Sequence, residues 1–419
     1  MLWNMSSFRP GSTVSQLPVH RLPGGERLLF MRNNSYITNI QILTNVGSMA
    51  EDPQIHGMAH ILEHMFFKGS NKFRGGTAIS RAANDIGGKL NAYTTYDHTV
   101  FYISVLGDEF EQGFEILSDM YRNPLFPPDE FKKELNPILS EMREREDDPE
   151  SFLMESALRA YLGSSYHPVI GNADTVKAAT VENMHRFKSR YYAGNNCMIS
   201  IVGGIEEERV HKAVAEHFTD LRHGESAVTP SFEYKTGGIE LTKPGIQEAH
   251  FSLFYPALGP DHPDRYKQDL MNYLLGGNES GLLFERIREE LGLSSYGIYS
   301  YVMRTPGHAV LGISGGIAPD ELHLMEKEVK SCIARICESK LEEHRLHRAR
   351  ASLRTSIASY AETSSGLNGM IGLPALRGDT SHPVEKALSE IEKITLEDVH
   401  EMAQKTFSGP QFRAVLTPA

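Results

Sequence analysis

Two histidines and a glutamate within one short apolar segment are the residues of this sequence best suited to chemistry. The segment reads GMAHILEHMFF and contains His60, Glu63 and His64. In a helix the two histidines lie one turn apart on one face, and the glutamate points toward the same side. Neutral imidazole is a preferred zinc ligand, and a carboxylate beside the metal can accept a proton from water. The segment therefore predicts either a metal-binding helix that still needs a third ligand or a pair of buried structural histidines.

The sequence around this segment predicts the elements that must position it. A hairpin and a strand over 18–46 precede the histidine helix, which is predicted over about 55–68. Residues 89–107 are rich in β-branched and aromatic side chains and predict two strands. Further helices are predicted over 77–87, 108–122, 129–146, 151–162, 181–192 and 206–218.

The second half of the chain repeats this order of elements. A strand over 248–258 leads to a helix over 265–275, which takes the place of the histidine helix but has no histidine or glutamate at that spacing. Repeats of this size are domains. We therefore expect two homologous α+β domains, each an antiparallel-dominated sheet with helices packed on one face. The predicted domains are residues 1–225, which carry the histidine helix, and residues 226–419, which lack it.

Composition and charge restrict the possible partners. With 40% apolar and 23% charged residues, the chain has the composition of a soluble globular protein. A formal net charge of −12 argues against a nucleic-acid partner. No apolar run reaches the length of a membrane span, and the first residues do not have the pattern of a secretory signal. We therefore expect a cytoplasmic protein without nucleic-acid or membrane partners.

A glutamate far along the chain extends the histidine pattern into a family resemblance. Glu141, in ILSEMRE, follows His64 after seventy-six intervening residues. HILEH followed by a glutamate at this spacing resembles the pitrilysin/insulinase family of inverzincin zinc metallopeptidases. The similarity is to its small bacterial and mitochondrial-processing-peptidase-like members. It covers essentially the whole chain and includes GSMAE before the histidine helix, FKGS after it, and LNAYT.

The resemblance implies a complete zinc site. In it, His60, His64 and Glu141 bind one Zn²⁺ and leave the fourth position to water. Glu63 is the general base, which takes a proton from that water and delivers it to the leaving amine. Glu134 lies two turns before Glu141 on the same helix face and supports the site by holding a ligand histidine. For Glu134, a solvated helix charge is the alternative.

Pro137 lies between these two glutamates. A proline inside a helix removes a backbone hydrogen bond and bends the helix. The bend either aims Glu141 at the zinc or removes Glu134 from it, and the sequence leaves both outcomes open.

The strand that contains Asn91, Ala92, Tyr93 and Thr94 resembles the substrate-binding edge strand of the family. A free edge offers unpaired N–H and C=O groups, to which an extended peptide can add whatever its sequence. An ordinary buried strand is the alternative.

Arg288 matches an arginine of the family that, together with a following tyrosine, contacts substrate or the developing oxyanion. In many members the tyrosine lies seven residues on. Here that position is Ser295, and Tyr296 comes next. Tyr296 is therefore the candidate, with Tyr299 or no tyrosine at all as alternatives.

The resemblance also implies the assembly and the reaction. In the family, halves of this length pair as a clamshell around a chamber, so we expect a homodimer in which the Arg288 region acts on the partner's zinc. The predicted function is a zinc-dependent endopeptidase that hydrolyses short or unfolded peptides inside this chamber by zinc-activated water and a glutamate base. The alternative is an active or non-catalytic subunit of a heterodimeric peptidase or processing complex.

Overall fold

The structure is a computed structural model that describes residues 14–218, 221–293, 297–338 and 341–419. The strands are β1 (Val19–Arg21), β2 (Arg27–Arg32), β3 (Ile37–Thr44), β4 (Lys89–Thr94), β5 (Thr99–Leu106), β6 (Cys197–Gly203), β7 (Gly237–Lys243), β8 (Ala249–Pro256), β9 (Ile298–Arg304), β10 (Ala309–Ile317) and β11 (Phe412–Pro418). The helices are α1 (Met58–Phe66), α2 (Ala78–Asp85), α3 (Phe110–Arg122), α4 (Pro128–Asp147), α5 (Pro149–Leu162), α6 (Ala173–Ala178), α7 (Val181–Tyr191), α8 (Glu207–His217), α9 (Arg265–Leu275), α10 (Leu322–Cys337), α11 (Glu343–Ala361), α12 (Ser364–Arg377), α13 (Pro383–Lys393) and α14 (Leu396–Phe407). A helical segment with π-type hydrogen bonds covers Phe284–Glu290.

The described residues form two compact units. Unit 1 comprises the described residues within Met1–Met142, His167–Thr229 and Ile357–Lys386, and unit 2 those within Arg143–Tyr166, Pro230–Ser356 and Ala387–Ala419. One change of unit, between 229 and 230, lies close to the predicted boundary between 225 and 226. Each unit also includes a helical segment from the other half of the chain, so the units are discontinuous in sequence. A single boundary at residue 225 stays a prediction about the duplicated halves.

A six-stranded sheet in the order β1-β2-β6-β3-β5-β4 forms the centre of unit 1. β2 and β6 run parallel, and the other neighbours are antiparallel. The central strand β6 is buried at every residue, and β3 is buried at all but its first. Strands buried in this way need cover on both faces of the sheet.

Helices supply this cover on both faces. On one face lies α3, where the hydroxyl oxygens of Tyr121 and Thr44 are 2.7 Å apart. On the other face lies α12, where the side-chain amide of Asn368 donates to Oδ1 of Asn39 at 2.8 Å and accepts from Ser200 of β6. The predicted α+β class is confirmed, but helices cover more than the one predicted face, because α12 adds a layer on the second face. That layer comes from residues more than 160 positions after β6, which is why a local pattern did not indicate it.

Unit 2 repeats this topology. Its five-stranded sheet has the order β7-β11-β8-β10-β9, with β7 and β11 parallel and the remaining pairs antiparallel. If β1 is set aside, both sheets have the same strand order counted from their own first strand. The turn from β4 to β5 also matches the turn from β9 to β10. Oγ1 of Thr95 lies 2.9 Å from Nδ1 of His98 in the first turn, and Oγ1 of Thr305 lies 3.0 Å from Nδ1 of His308 in the second. These shared details support the predicted duplication.

The second sheet is likewise covered on two faces. The ring of Tyr161 on α5 packs 5.8 Å from that of Phe254, and the ring of Phe407 on α14 packs 4.9 Å from that of Tyr255, the next residue of β8. Neighbouring residues of a strand point to opposite faces, so these helices lie on opposite sides. No helix among the described residues combines the length and apolar character required to cross a membrane.

Candidate metal centre

The helix α1 carries both histidines of the predicted site. Its apolar side chains anchor it in the core of unit 1 and are those of Met58, Ile61, Leu62 and Met65. Because these positions occupy one side of the helix, His60 and His64 lie together on another, with ring centroids 4.6 Å apart. The predicted helix over 55–68 is confirmed, with shorter ends.

Glu141 on α4 completes a three-residue group with the histidines. Its Oε2 lies 3.5 Å from Nε2 of His60 and 3.7 Å from Nε2 of His64. One ligand atom from each of the three residues lies within 4.8 Å of the other two, and no second group of this kind occurs within the described ranges. Tetrahedral ligands at about 2.0–2.1 Å from one ion lie roughly 3.3 Å apart, so the group fits a zinc ion with small side-chain adjustments. Two imidazoles and a carboxylate are also the donors of catalytic zinc sites that keep an open position.

Glu134, on the same helix, holds one of the two histidines. Nδ1 of His64 donates to Oε1 of Glu134 at 2.9 Å, which leaves Nε2 toward Glu141. Nζ of Lys68 lies 2.5 Å from the other oxygen of Glu134. Burial alone would raise the pKa of Glu134, but the hydrogen bonds from His64 and Lys68 outweigh it and lower the pKa. Although Pro137 lies inside α4, the helix continues through it, and both glutamates reach the histidines.

Two carboxylates control the protonation of His64. Burial lowers the pKa of His64, but hydrogen bonds to Glu134 and Glu141 outweigh burial and raise the pKa to about 9. A metal ligand must be the neutral imidazole. A metal that binds here therefore displaces a proton from His64, and its affinity should increase with pH.

Glu63 lies close to this group, since the charges of His64 and Glu141 both affect its pKa. Its Oε2 accepts a hydrogen bond from Oγ1 of Thr94 on β4 at 2.6 Å. Burial raises the pKa of Glu63, and the hydrogen bond from Thr94 opposes the increase. A carboxylate with a raised pKa is a stronger base, which suits proton transfer near neutral pH.

The strand β4 forms an edge of the sheet in unit 1. In the part of the chain that the structure describes, it pairs with β5 alone. Thr94 and Ala92 share the face toward α1, and Asn91 and Tyr93 point to the opposite face, because side chains alternate along a strand. Tyr93 is 41% exposed, and its ring lies 6.4 Å from the ring of Tyr102. The edge position is what a substrate-binding strand requires, and that role for these four residues stays a prediction.

Two residues outside the predicted set contact Glu134 or the start of α1. Lys68 neutralises Glu134, and Glu51 accepts backbone N–H groups of Gly57 and Ala59 at the start of α1. Lys68 follows His64 by four residues, so its place on the same helical face could have been noticed. Glu51 precedes the helix by several loop residues, and no periodic signal connects it to the site.

The predicted arginine and tyrosine belong to the second half of the chain. Arg288 lies in the helical segment Phe284–Glu290 of unit 2, with an exposed side chain. Tyr296 and Ser295 lie outside the described residues. Tyr299, the alternative, lies on β9. The roles of Arg288 and Tyr296 in catalysis stay predictions.

Known families match both halves of the chain. The model of insulinase (peptidase family M16) matches residues 28–166, and that of the peptidase M16 inactive domain matches residues 178–353. The first match contains the three candidate ligands and Glu63. The second includes α9, the counterpart of α1, which has no histidine. The second match therefore agrees with a duplicated half that lacks the metal-binding residues.

Individual relatives span nearly the whole chain. An uncharacterized zinc protease of Rickettsia felis is 28% identical over 92% of this chain and 94% of its own, and one of Bacillus subtilis is 26% identical over 93% and 96%. The crystal structure of a protease from Helicobacter pylori has a TM-score of 0.89 at 21% identity and covers 97% of this chain and 100% of its own, so it shares the fold. With both family models matched in order along the chain, and relatives named zinc proteases that span nearly all of it, the chain belongs to the insulinase family of peptidases, family M16.

Proposed function

We propose that the chain is a zinc-dependent endopeptidase that cleaves short or unfolded peptides. The observation that carries the proposal is the convergence of His60, His64 and Glu141 on one point of unit 1, with Glu63 beside them. The relatives named zinc proteases support it. The proposed cofactor is Zn²⁺, held by the three ligands.

The residues around the centre define the chemistry. A bound zinc ion would supply a Lewis acid that polarises the scissile carbonyl and lowers the pKa of water. Glu63 takes the proton of the attacking water and delivers it to the leaving amine. Thr94 orients the carboxylate of Glu63 by donating to its Oε2. Glu134 fixes the ring of His64 through Nδ1 and so orients Nε2.

The substrate lies along β4 in this proposal. An extended peptide can add to the edge strand through its main chain, which recognises peptides with little regard to sequence. Thr94 belongs to this strand and also contacts Glu63, so a peptide paired with β4 comes next to the base. A chamber enclosed by two copies would restrict access to short or unfolded peptides. The family resemblance motivates this chamber and the homodimer.

Zinc content and peptide cleavage test the proposal together. We expect purified protein to bind one zinc per chain and to cleave a quenched fluorescent peptide in a chelator-sensitive manner. Glu63→Gln should keep the zinc and lose at least about 100-fold in kcat, the scale of general-base catalysis. Glu141→Gln should lose zinc, whereas Glu144→Gln, which changes an exposed carboxylate farther along α4, should change neither. Protein without zinc or cleavage would overturn the proposal.

A non-catalytic subunit of a larger assembly is the second candidate. A chain of complex III2 from Candida albicans has this fold, with a TM-score of 0.84 at 14% identity over 96% of both chains. The four residues of the centre favour the enzyme, because a purely structural subunit has no need for them. Mass in solution and activity with and without a co-purifying homologue distinguish the homodimer from either kind of heterodimer.

A further inference from the structure

The start of α1 is held by a carboxylate that comes from outside the helix. The side chain of Glu51 is 0% exposed, and its two oxygens accept the N–H groups of Gly57 and Ala59, both at 2.7 Å. The residue that would normally cap the helix is Gly57, which has no side chain to do so and adopts a φ of 94°. Glu51 therefore replaces the missing cap and places a carboxylate at the positive end of the helix.

A second segment fixes this carboxylate. Nε2 of His167 lies 2.7 Å from the carbonyl oxygen of Ser48 and 3.3 Å from Oε2 of Glu51. The ring of His167 stacks on that of His56 with centroids 3.7 Å apart and planes 3° from parallel. The hydroxyl of Thr175 donates to the carbonyl of His56 at 2.6 Å. Glu51 and His56, which both precede α1, are thus tied to the segment 167–175.

The backbone contacts in this region leave little freedom for the helix start. A Cβ on Gly57 would come 2.7 Å from the carbonyl oxygen of Ile170, and a Cβ on Gly171 would come 2.3 Å from that of His56. Both distances are shorter than real side chains allow. The first turn of α1 is therefore set by close packing as well as by the Glu51 hydrogen bonds.

His60 depends on this turn more than His64 does. With Gly57 as the cap, His60 is the third residue of α1 and directly follows Ala59, whose N–H bonds to Glu51. His64 lies one turn later and is held separately by Glu134. A helix of nine residues is not stable in isolation, so its ends depend on such contacts.

We propose that Glu51 is a positioning residue of the metal centre, which fixes His60 relative to Glu141 through the first turn of α1. His167 holds Glu51 in place. The inference rests on the proposed zinc site and adds a group that touches neither metal nor substrate. Loss of the Glu51 carboxylate should then weaken zinc binding through His60 while the rest of unit 1 stays folded.

The test compares Glu51→Gln with wild type and with Asp148→Asn. Asp148 caps α5 in unit 2 by accepting the N–H of Ser151 at 2.8 Å, so this control makes the same acid-to-amide change at the cap of a helix other than α1. In Glu51→Gln the side-chain oxygen can still accept one of the two N–H groups of Gly57 and Ala59, but the side-chain NH₂ group faces the other N–H, which then has no acceptor. We expect the zinc Kd, measured by chelator competition, to increase at least ~10-fold for Glu51→Gln, as for other groups that orient a ligand, and to be unchanged for Asp148→Asn.

A second readout separates positioning from general stability. The absorption spectrum of the Co²⁺-substituted protein reports ligand geometry, and it should change in Glu51→Gln but not in Asp148→Asn. An unaltered zinc Kd and Co²⁺ spectrum in a folded Glu51→Gln protein would overturn the inference, even if its Tm decreased. If Glu51→Gln does not fold, His167→Gln replaces it and should show the same changes to a smaller extent; an unaltered Kd and spectrum there would also overturn it. A wild type that binds no zinc would overturn the proposed function and this inference together. If the wild type binds zinc and is active, the results for the variants test this inference alone.

Discussion

At the scale of single residues, charge compensation controls the centre. Glu134 contacts His64, a proposed metal ligand, through one oxygen and Lys68 through the other. The lysine neutralises a carboxylate that is nearly buried, and the carboxylate in turn keeps Nδ1 of His64 protonated and Nε2 available. The arrangement orients the histidine without adding a net negative charge next to the ligands.

This arrangement predicts the effect of Glu134→Gln. The change removes the charge-assisted bond to His64 and leaves Lys68 as an uncompensated cation near the metal, and both effects weaken zinc binding. We expect the zinc Kd to increase about 10–100-fold, and the double variant Glu134→Gln/Lys68→Met to recover part of the loss, because the repelling cation is gone.

Glu130→Gln is the matched control for this variant. Glu130 pairs with Lys133 at 2.6 Å on the same helix, within three residues along the chain, and the lysine of this pair is exposed. The Glu130→Gln protein should bind zinc with the affinity of the wild type. Equal zinc affinity of Glu134→Gln and Glu130→Gln, measured by chelator competition, would show that Glu134 does not support the centre.

At the scale of elements, α4 determines how the carboxylates of Glu134 and Glu141 reach the histidines of α1. Pro137 lacks the N–H that would bond to the carbonyl of Lys133, and a proline inside a helix bends it. We predict that this bend helps to aim Glu141. Pro137→Ala should then weaken zinc binding about 10-fold, the scale for misplacing groups at a metal site, although alanine favours a helix interior by about 3 kcal/mol.

Pro374→Ala provides the control, because Pro374 lies inside α12 and so shares the local chemistry without any ligand on its helix. Zinc affinity by chelator competition and Tm of the metal-free protein are measured for both variants. Pro137→Ala with wild-type affinity would mean that the proline is incidental to the centre.

The edge strand β4 gives a prediction about substrates. Along an edge strand, the outward N–H and C=O groups belong to every second residue, so a paired peptide uses alternate amides. We expect a series of substrates with single N-methyl groups to lose kcat/KM at every second position near the cleaved bond, by roughly 5–10-fold for each lost hydrogen bond. Zinc-dependent cleavage that is indifferent to N-methylation, or that shows no alternation, would exclude main-chain pairing with β4.

Local patterns were sufficient for most elements and insufficient for their partners. The helix over 265–275 and the histidine helix could be predicted because apolar periodicity and flanking glycines are local signals. The pairing of β3 with β5 and β6, and the packing of α12 on that sheet, depend on contacts far apart in sequence. In the same way, His60, Glu63 and His64 follow from one pentapeptide, Glu141 required the family resemblance, and Glu51 is recognised only from its hydrogen bonds.

At the scale of the whole molecule, the duplicated topology raises the question of what the second half does. Unit 2 keeps the strand order and the Thr305–His308 turn, yet α9 has no metal ligands at the position of the histidines. Retention of the fold without the ligands indicates a role other than metal binding. The resemblance gives that role to Arg288, which would act on the zinc site of a second copy.

Complementation between two inactive variants tests this role. Glu63→Gln lacks the base and Arg288→Ala lacks the arginine, and each homodimer should have at least about 10-fold lower kcat/KM. In a mixed dimer made by co-expression with two tags, one of the two sites combines an intact Glu63 with an intact Arg288 if the arginine acts across the interface. Random pairing makes half of the dimers mixed, so we expect recovery to about a quarter of wild-type activity.

Co-expression of Glu63→Gln with Glu141→Gln is the control. Both changes lie in the same half of the chain, so the mixed dimer has no intact site and should recover no activity. Dimers that recover no activity with Arg288→Ala would place the arginine's action within its own chain, and a monomeric active protein would exclude the enclosed chamber as well.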